Sequence, residues 1–158
     1  MATKVKPIPD GWHAVTPYLC IQGAAKAIEF YKKAFGATEV MERITDPKTG
    51  KVGHAEIRIG DSLVMIADEH PDFGVLSPKT IGGSPVRLNL AVPDSDATAA
   101  QAVAAGAKLV RPVEKQFYGW RSGAVEDPFG YQWMIGTCVE EVSPEEMERR
   151  AKKLYEEM

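Results

Sequence analysis

A chain of 158 residues, 44% apolar and 26% charged, is long enough for one globular domain or two small units on a shared core, and is not a disordered polymer. Its net charge of −3 argues against a nucleic-acid groove or an anionic membrane surface, and no run approaches the ~20 apolar residues of a membrane span. The two cysteines, Cys20 and Cys138, lie far apart in sequence and read as free thiols of a reducing, cytoplasmic compartment.

Residues 1–12 hold Lys4, Lys6, Pro7 and Pro9 without an apolar run, and read as an extended arm and not a signal peptide. A first unit is expected over 13–68. His13–Ile21 alternates with period two, which predicts a strand. Ala24, Ala27, Ile28, Tyr31 and Phe35 then form a helical apolar stripe, stopped by Gly36. Thr38–Thr45, Val52–Ile59 and Ser62–Ala67 read as three further strands, with turns at Asp46–Gly50 and Gly60–Asp61. Residues 69–83, rich in Gly and Pro, have no period and read as a linker.

A second unit is expected over 84–138, with strands at Val86–Val92, Lys108–Val113, Ser122–Glu126 and Tyr131–Thr137. Its helix, Asp94–Ala105, has Asp94 placed as N-cap and Gly106 as its stop. Over 139–158, Ser143-Pro144-Glu145-Glu146 opens a final helix with a capping-box pattern. Met147, Ala151 and Leu154 give it a thin apolar stripe for the body of the protein or a second chain.

The two units are one shape repeated at an offset of seventy residues. Gly36, Gly53, Glu56 and Gly60 fall on Gly106, Gly123, Glu126 and Gly130. Each sheet should bury one face under its helix, with Leu19, Ile21, Ile57, Ile59, Leu63, Met65, Leu88, Leu90 and Val92 inward. Trp133 should pack there too. Thr16, Tyr18, Cys20, His54, Glu56, Arg58, Val64, Arg87, Asn89, Glu126 and Met134 then share the other face. So polar a face either meets solvent or lines a pocket.

Thr16-Pro-Tyr-Leu19, Ala27-Ile-Glu-Phe-Tyr31, Ala34-Phe-Gly-Ala37 and Val125-Glu-Asp-Pro-Phe-Gly130 followed by Trp133 resemble the glyoxalase/bleomycin resistance/extradiol dioxygenase (vicinal oxygen chelate) superfamily. Tyr118-Gly-Trp-Arg121 and Glu141–Met147 are most similar to its PhnB-like branch. The resemblance implies an α+β fold of two tandem βαβββ units whose mixed sheets curl around a cavity, and a homodimer as the usual assembly. It also implies, in metal-dependent members, one His or Glu ligand from each of four strands. The corresponding positions here are Thr16, Val64, Arg87 and Met134, a poor donor set for a catalytic divalent ion.

The leading expectation is therefore a metal-free pocket for a small polar or anionic molecule, with no cofactor, no nucleic acid and no membrane. Its expected ligand-binding residues are Thr16, Tyr18, Arg87, Asn89, Tyr118, Trp120, Arg121 and Met134. Arginines would clamp an anionic group and aromatic rings would stack on it. The alternative is a divalent-metal-dependent, glyoxalase-like isomerase or lyase whose site has moved to His54, Glu56 and Glu126, the candidate catalytic residues. Cys20 is a lone thiol without a recognised base, and His13 and His70 read as surface histidines.

Overall fold

In the computed structural model, residues 4–158 are described. The chain divides into two compact units, the first ending at Gly83 and the second running Ser84–Met158. The expected N-terminal arm begins outside the described residues; from Lys4 to Trp12 it holds no helix or strand, and Lys6 pairs with Asp10.

The first unit comprises β1 (Tyr18–Ile21), α1 (Ala24–Phe35), β2 (Thr38–Glu39), β3 (Ile44–Thr45), β4 (Val52–Ile59) and β5 (Ser62–Asp68). A 3₁₀ turn at Pro71–Phe73 and α2 (Pro78–Ile81) follow. The strand order is β1-β5-β4-β2, with β3 also on β4; β1 and β5 are parallel and the other pairs antiparallel. The second unit comprises β6 (Leu88–Ala91), α3 (Ser95–Ala105), β7 (Lys108–Lys115), β8 (Trp120–Glu126), β9 (Gln132–Cys138) and α4 (Pro144–Glu157). Its order, β6-β9-β8-β7, with β6 and β9 parallel, repeats that of the first. The fold is α+β, two βαβββ units in tandem.

The glycine stops behave as the pattern requires. Gly36 ends α1 with φ 67°, and Ala37 N–H closes back onto Tyr31 C=O at 3.2 Å. Gly106 ends α3 with a different backbone, φ 123°, its own N–H on Val103 C=O and Ala107 N–H on Ala102 C=O. Asp94 caps α3 by accepting the Ala97 amide, and Ser143 caps α4 by accepting that of Glu146. The start of α1 is different. Gly23 has no side chain to offer, and Asp68 from the end of β5 accepts the Gly23 and Ala24 amides at 3.0 Å each. The second oxygen of Asp68 accepts Val52 N–H at 2.7 Å, tying the start of β4 to the same carboxylate.

Several boundaries need correction. β1 starts at Tyr18 and not His13; Pro17 has no N–H for a ladder and contributes only its carbonyl, to Met65 N–H. The single strand expected over Thr38–Thr45 is two short ones, and the second is itself irregular, with a register shift against β4 between Ile44 and Thr45. Within residues 69–83, read as a linker, Glu69 accepts the Ser77 amide and the Thr80 hydroxyl and pins α2. β6 begins at Leu88, because Ser84 and Val86 are engaged in a local turn.

Strand register also corrects the facing of β5. Ile57 pairs with Val64, and Glu56 with Met65. Directly opposed residues share a face. Val64 therefore joins Ile57, Ala55 and Ile66 in the core under α1, all at most 4% exposed. Leu63 and Met65, expected inward, stand on the face of Arg58 and Glu56. The run Leu63–Ala67 is apolar throughout, so it carries no alternation from which facing could be read.

Candidate functional site

The open face of the first sheet is built on one register row, Tyr18–Met65–Glu56, across β1, β5 and β4. One pleat along, His54 stands on the same face as Glu56. These positions assemble a hydrogen-bonded chain. Tyr18 Oη lies 2.7 Å from His54 Nδ1, and His54 Nε2 lies 3.1 Å from Glu56 Oε1. Glu56 as a carboxylate can only accept, so Nε2 carries the proton and Nδ1 accepts from the phenol. His54 and Glu56 are largely covered, while Tyr18 keeps 46% of its surface exposed.

Burial pushes the Tyr18 phenol above its ordinary 10.0, with the charges of Cys20 and Glu56 adding to it. The Cys20 thiol is likewise raised by burial, then by Glu69 and Asp68, which keeps it protonated and a poor nucleophile at neutral pH.

Tyr18 borders a cavity of about 650 Å³ that lies wholly within the first unit. Its wall takes in Asp46, Asp68, Glu69 and Asp72 against a single lysine, Lys51. Much of this acid is committed. Asp68 holds the start of α1, Asp46 accepts the Lys48 amide and the Thr49 hydroxyl, and Glu69 holds α2. Those bonds from Thr80 and Ser77 hold the Glu69 carboxyl down at about 2.

In the second sheet the corresponding face carries the row Asn89–Met134–Ala124–Arg111. Arg111, which sequence reasoning did not single out, donates to Ser122 Oγ at 3.2 Å, and Tyr118 Oη lies 3.2 Å from the same oxygen. Register shifts around Arg111 break the alternation that would have flagged it. Trp120 lies over Gly136, where an added Cβ would come within 3.0 Å of its ring.

The remaining expected residues are dispersed. Thr16 precedes β1 and is half-buried, and Arg87 precedes β6 and is exposed. Glu126 stands opposite Lys108 and Gln132, at the end of β8. Arg121, expected at the ligand, is turned the other way: its Nε donates to Asp96 at 2.5 Å, on the side of α3. It is one residue out of phase with Trp120 and Ser122. Trp133 is buried against α3's face of the sheet and donates its indole N–H to Asp127 at 2.9 Å.

The residues at the four positions that the resemblance assigns to a metal do not fit one. Val64 is 4% exposed and faces the core; Met65 takes its place on the open face. Thr16, Arg87 and Met134 add a hydroxyl, a fixed cation and a soft thioether. Among the described residues, no three His, Cys, Asp or Glu side chains are gathered as a metal centre. Nor is any helix there long and apolar enough to cross a membrane.

The sequence model of the Glyoxalase/Bleomycin resistance protein/Dioxygenase superfamily matches residues 13–135. An uncharacterized protein of Mycobacterium tuberculosis is 40% identical over 151 residues, 94% of this chain and 84% of its own. The crystal structure of an Arabidopsis thaliana gene product superposes with a TM-score of 0.62 at 29% identity, covering 78% of this chain and 98% of that one. The PhnB protein of Bacillus cereus has the same fold, with a TM-score of 0.59 at 19% identity over 79% of this chain and 99% of its own.

Proposed function

Because the chain belongs to the Glyoxalase/Bleomycin resistance protein/Dioxygenase superfamily, we propose that it has kept a small-molecule site of that fold while dispensing with a divalent metal. One observation carries the reading: the positions where metal-dependent relatives hold their ion bear Thr16, Arg87 and Met134, with Val64 turned into the core. A catalytic divalent centre needs about three hard or borderline ligands, and these supply none with charge of the right sign.

The ligand is a compact polar organic molecule. The cavity beside Tyr18 favours an uncharged one over the anionic one that Arg87 suggests, because its carboxylates outnumber its lysine. A metal-dependent isomerase or lyase at His54, Glu56 and Glu126 is the weaker reading. Both ring nitrogens of His54 already lie at hydrogen-bond distance from Tyr18 and Glu56.

The test is elemental analysis of protein purified without chelators, paired with thermal shift. Zinc, nickel, iron and manganese should be well below one ion per chain, and added divalent ions should leave the melting temperature unchanged. Neutral polar compounds should raise it more than matched carboxylates do, since a ligand of the folded state stabilises it. One tightly held ion per chain would overturn the reading.

A further inference from the structure

We propose that Tyr18, His54 and Glu56 form a metal-independent proton relay that enolises an uncharged carbonyl compound held in the cavity of the first unit. The proposal rests on the metal-free small-molecule reading above and adds a reaction to it.

The geometry is that of an activated acid–base set. A terminal group, a base and an orienting carboxylate stand in line, at 2.7 Å and 3.1 Å. Only the terminal group, Tyr18, borders the cavity. His54 and Glu56 stand behind it and lie more than two-thirds covered, at 26% and 17% side-chain exposure. The neighbouring Arg58 on the same face takes no part in this chain and donates to the Asp61 carbonyl in the β4–β5 turn instead.

The substrate class follows from what such a relay can usefully move. Protons on oxygen and nitrogen exchange with water unaided; protons on carbon gain from a positioned base. A C–H becomes acidic enough for a phenol-terminated relay when it flanks a carbonyl. The acidic cavity wall disfavours carboxylate and phosphate substrates, so the relay is assigned to carbonyl compounds that carry no negative charge, of which neutral ones are the simplest.

The step balances without a co-reactant. The substrate C–H bond breaks and its electron pair moves into the enolate. The proton passes to Tyr18 Oη as the Tyr18 proton passes to His54 Nδ1. Glu56 stabilises the imidazolium so formed, and no bare phenolate is needed. Tyr18 then returns a proton to the enolate oxygen as His54 Nδ1 gives its own back, which leaves the enol and the resting relay.

The experiment uses the intact protein after metal removal, with acetylacetone as probe, its keto–enol relaxation followed by ultraviolet absorbance. The rate with protein should exceed that of buffer and fall ~100-fold in Tyr18→Phe, the scale of a lost general acid–base group. Glu56→Gln, which acts through His54, should lower kcat ~10-fold with KM unchanged, and it stands as the second variant should Tyr18→Phe fold poorly. Tyr155→Phe, on the exposed face of α4, should match the parent. Relaxation no faster than buffer, or unchanged in Tyr18→Phe, overturns the relay alone. A rate that is absent from metal-free protein and restored by zinc overturns the metal-free reading as well.

Discussion

The buried carboxylate of Asp127 accepts the indole N–H of Trp133 at 2.9 Å, and its other oxygen accepts the amides of Phe129 and Tyr131. The Asp-Pro-Phe-Gly turn is thus held by one side chain that satisfies three donors. Asp127→Ala leaves those donors in a site only 4% exposed for the residue. At about 1 kcal/mol or more per stranded group, the loss should reach about 3 kcal/mol. Urea unfolding followed by circular dichroism would read it as a lower midpoint with an unchanged slope.

Asp68→Ala removes the bonds to Gly23, Ala24 and Val52 together. A cap alone contributes about 1 kcal/mol, and the β4 amide adds a comparable loss, so about 2 kcal/mol is expected. Hydrogen exchange should quicken at the Ala24 and Val52 amides before it does elsewhere in the unit. Uniform exchange across the unit would contradict the assignment.

Acid should loosen α2. The Glu69 carboxyl is held near 2, below its ordinary 4.5, by the Thr80 and Ser77 bonds. A carboxylate with a lowered folded pKa stabilises above its unfolded value and loses that contribution as pH falls through the folded one. Protection of the Ser77 amide should therefore be full above pH ~4.5 and decline towards pH 2. Glu69→Gln should flatten this profile at every pH.

Gly119→Ala should unseat the β7–β8 hairpin. Gly119 adopts φ 88°, and an added Cβ would collide with the Glu140 carbonyl oxygen. The Gly119 carbonyl also accepts the Val139 and Glu140 amides. Backbone strain of this kind costs about 1–3 kcal/mol before the collision is counted. Because Glu140 also pairs with Arg150 of α4, limited proteolysis should find α4 cut sooner in the variant.

The fold was legible because its signals are local. Gly36 and Gly106 stop helices wherever they are placed, and the stripe Ala24–Phe35 needs no partner to be recognised. Facing was legible only where residues alternate: Val52–Ile59 gave it, and Leu63–Ala67 could not. The link between Tyr18 and His54 was beyond the sequence for another reason. Thirty-six positions separate them, and they are brought within reach by a strand order that sets β5 alone between β1 and β4. The side on which Arg121 stands, paired with Asp96, was not legible, since the hairpin turn that sets its phase precedes the strand. The cap from Asp68 was invisible because an absent side chain at Gly23 gives no hint of who replaces it.

The double duty of Asp68 divides the cavity wall into a part on which the backbone depends and a part on which it does not. Asp68 and Glu69 carry backbone bonds that α1, β4 and α2 depend on, so a new specificity written there would be written at the expense of folding. Lys51 and Asp72 line the same cavity and carry no side-chain hydrogen bond among the described residues. They are the positions at which the charge of the cavity wall can be changed with the hydrogen bonds of the scaffold left intact.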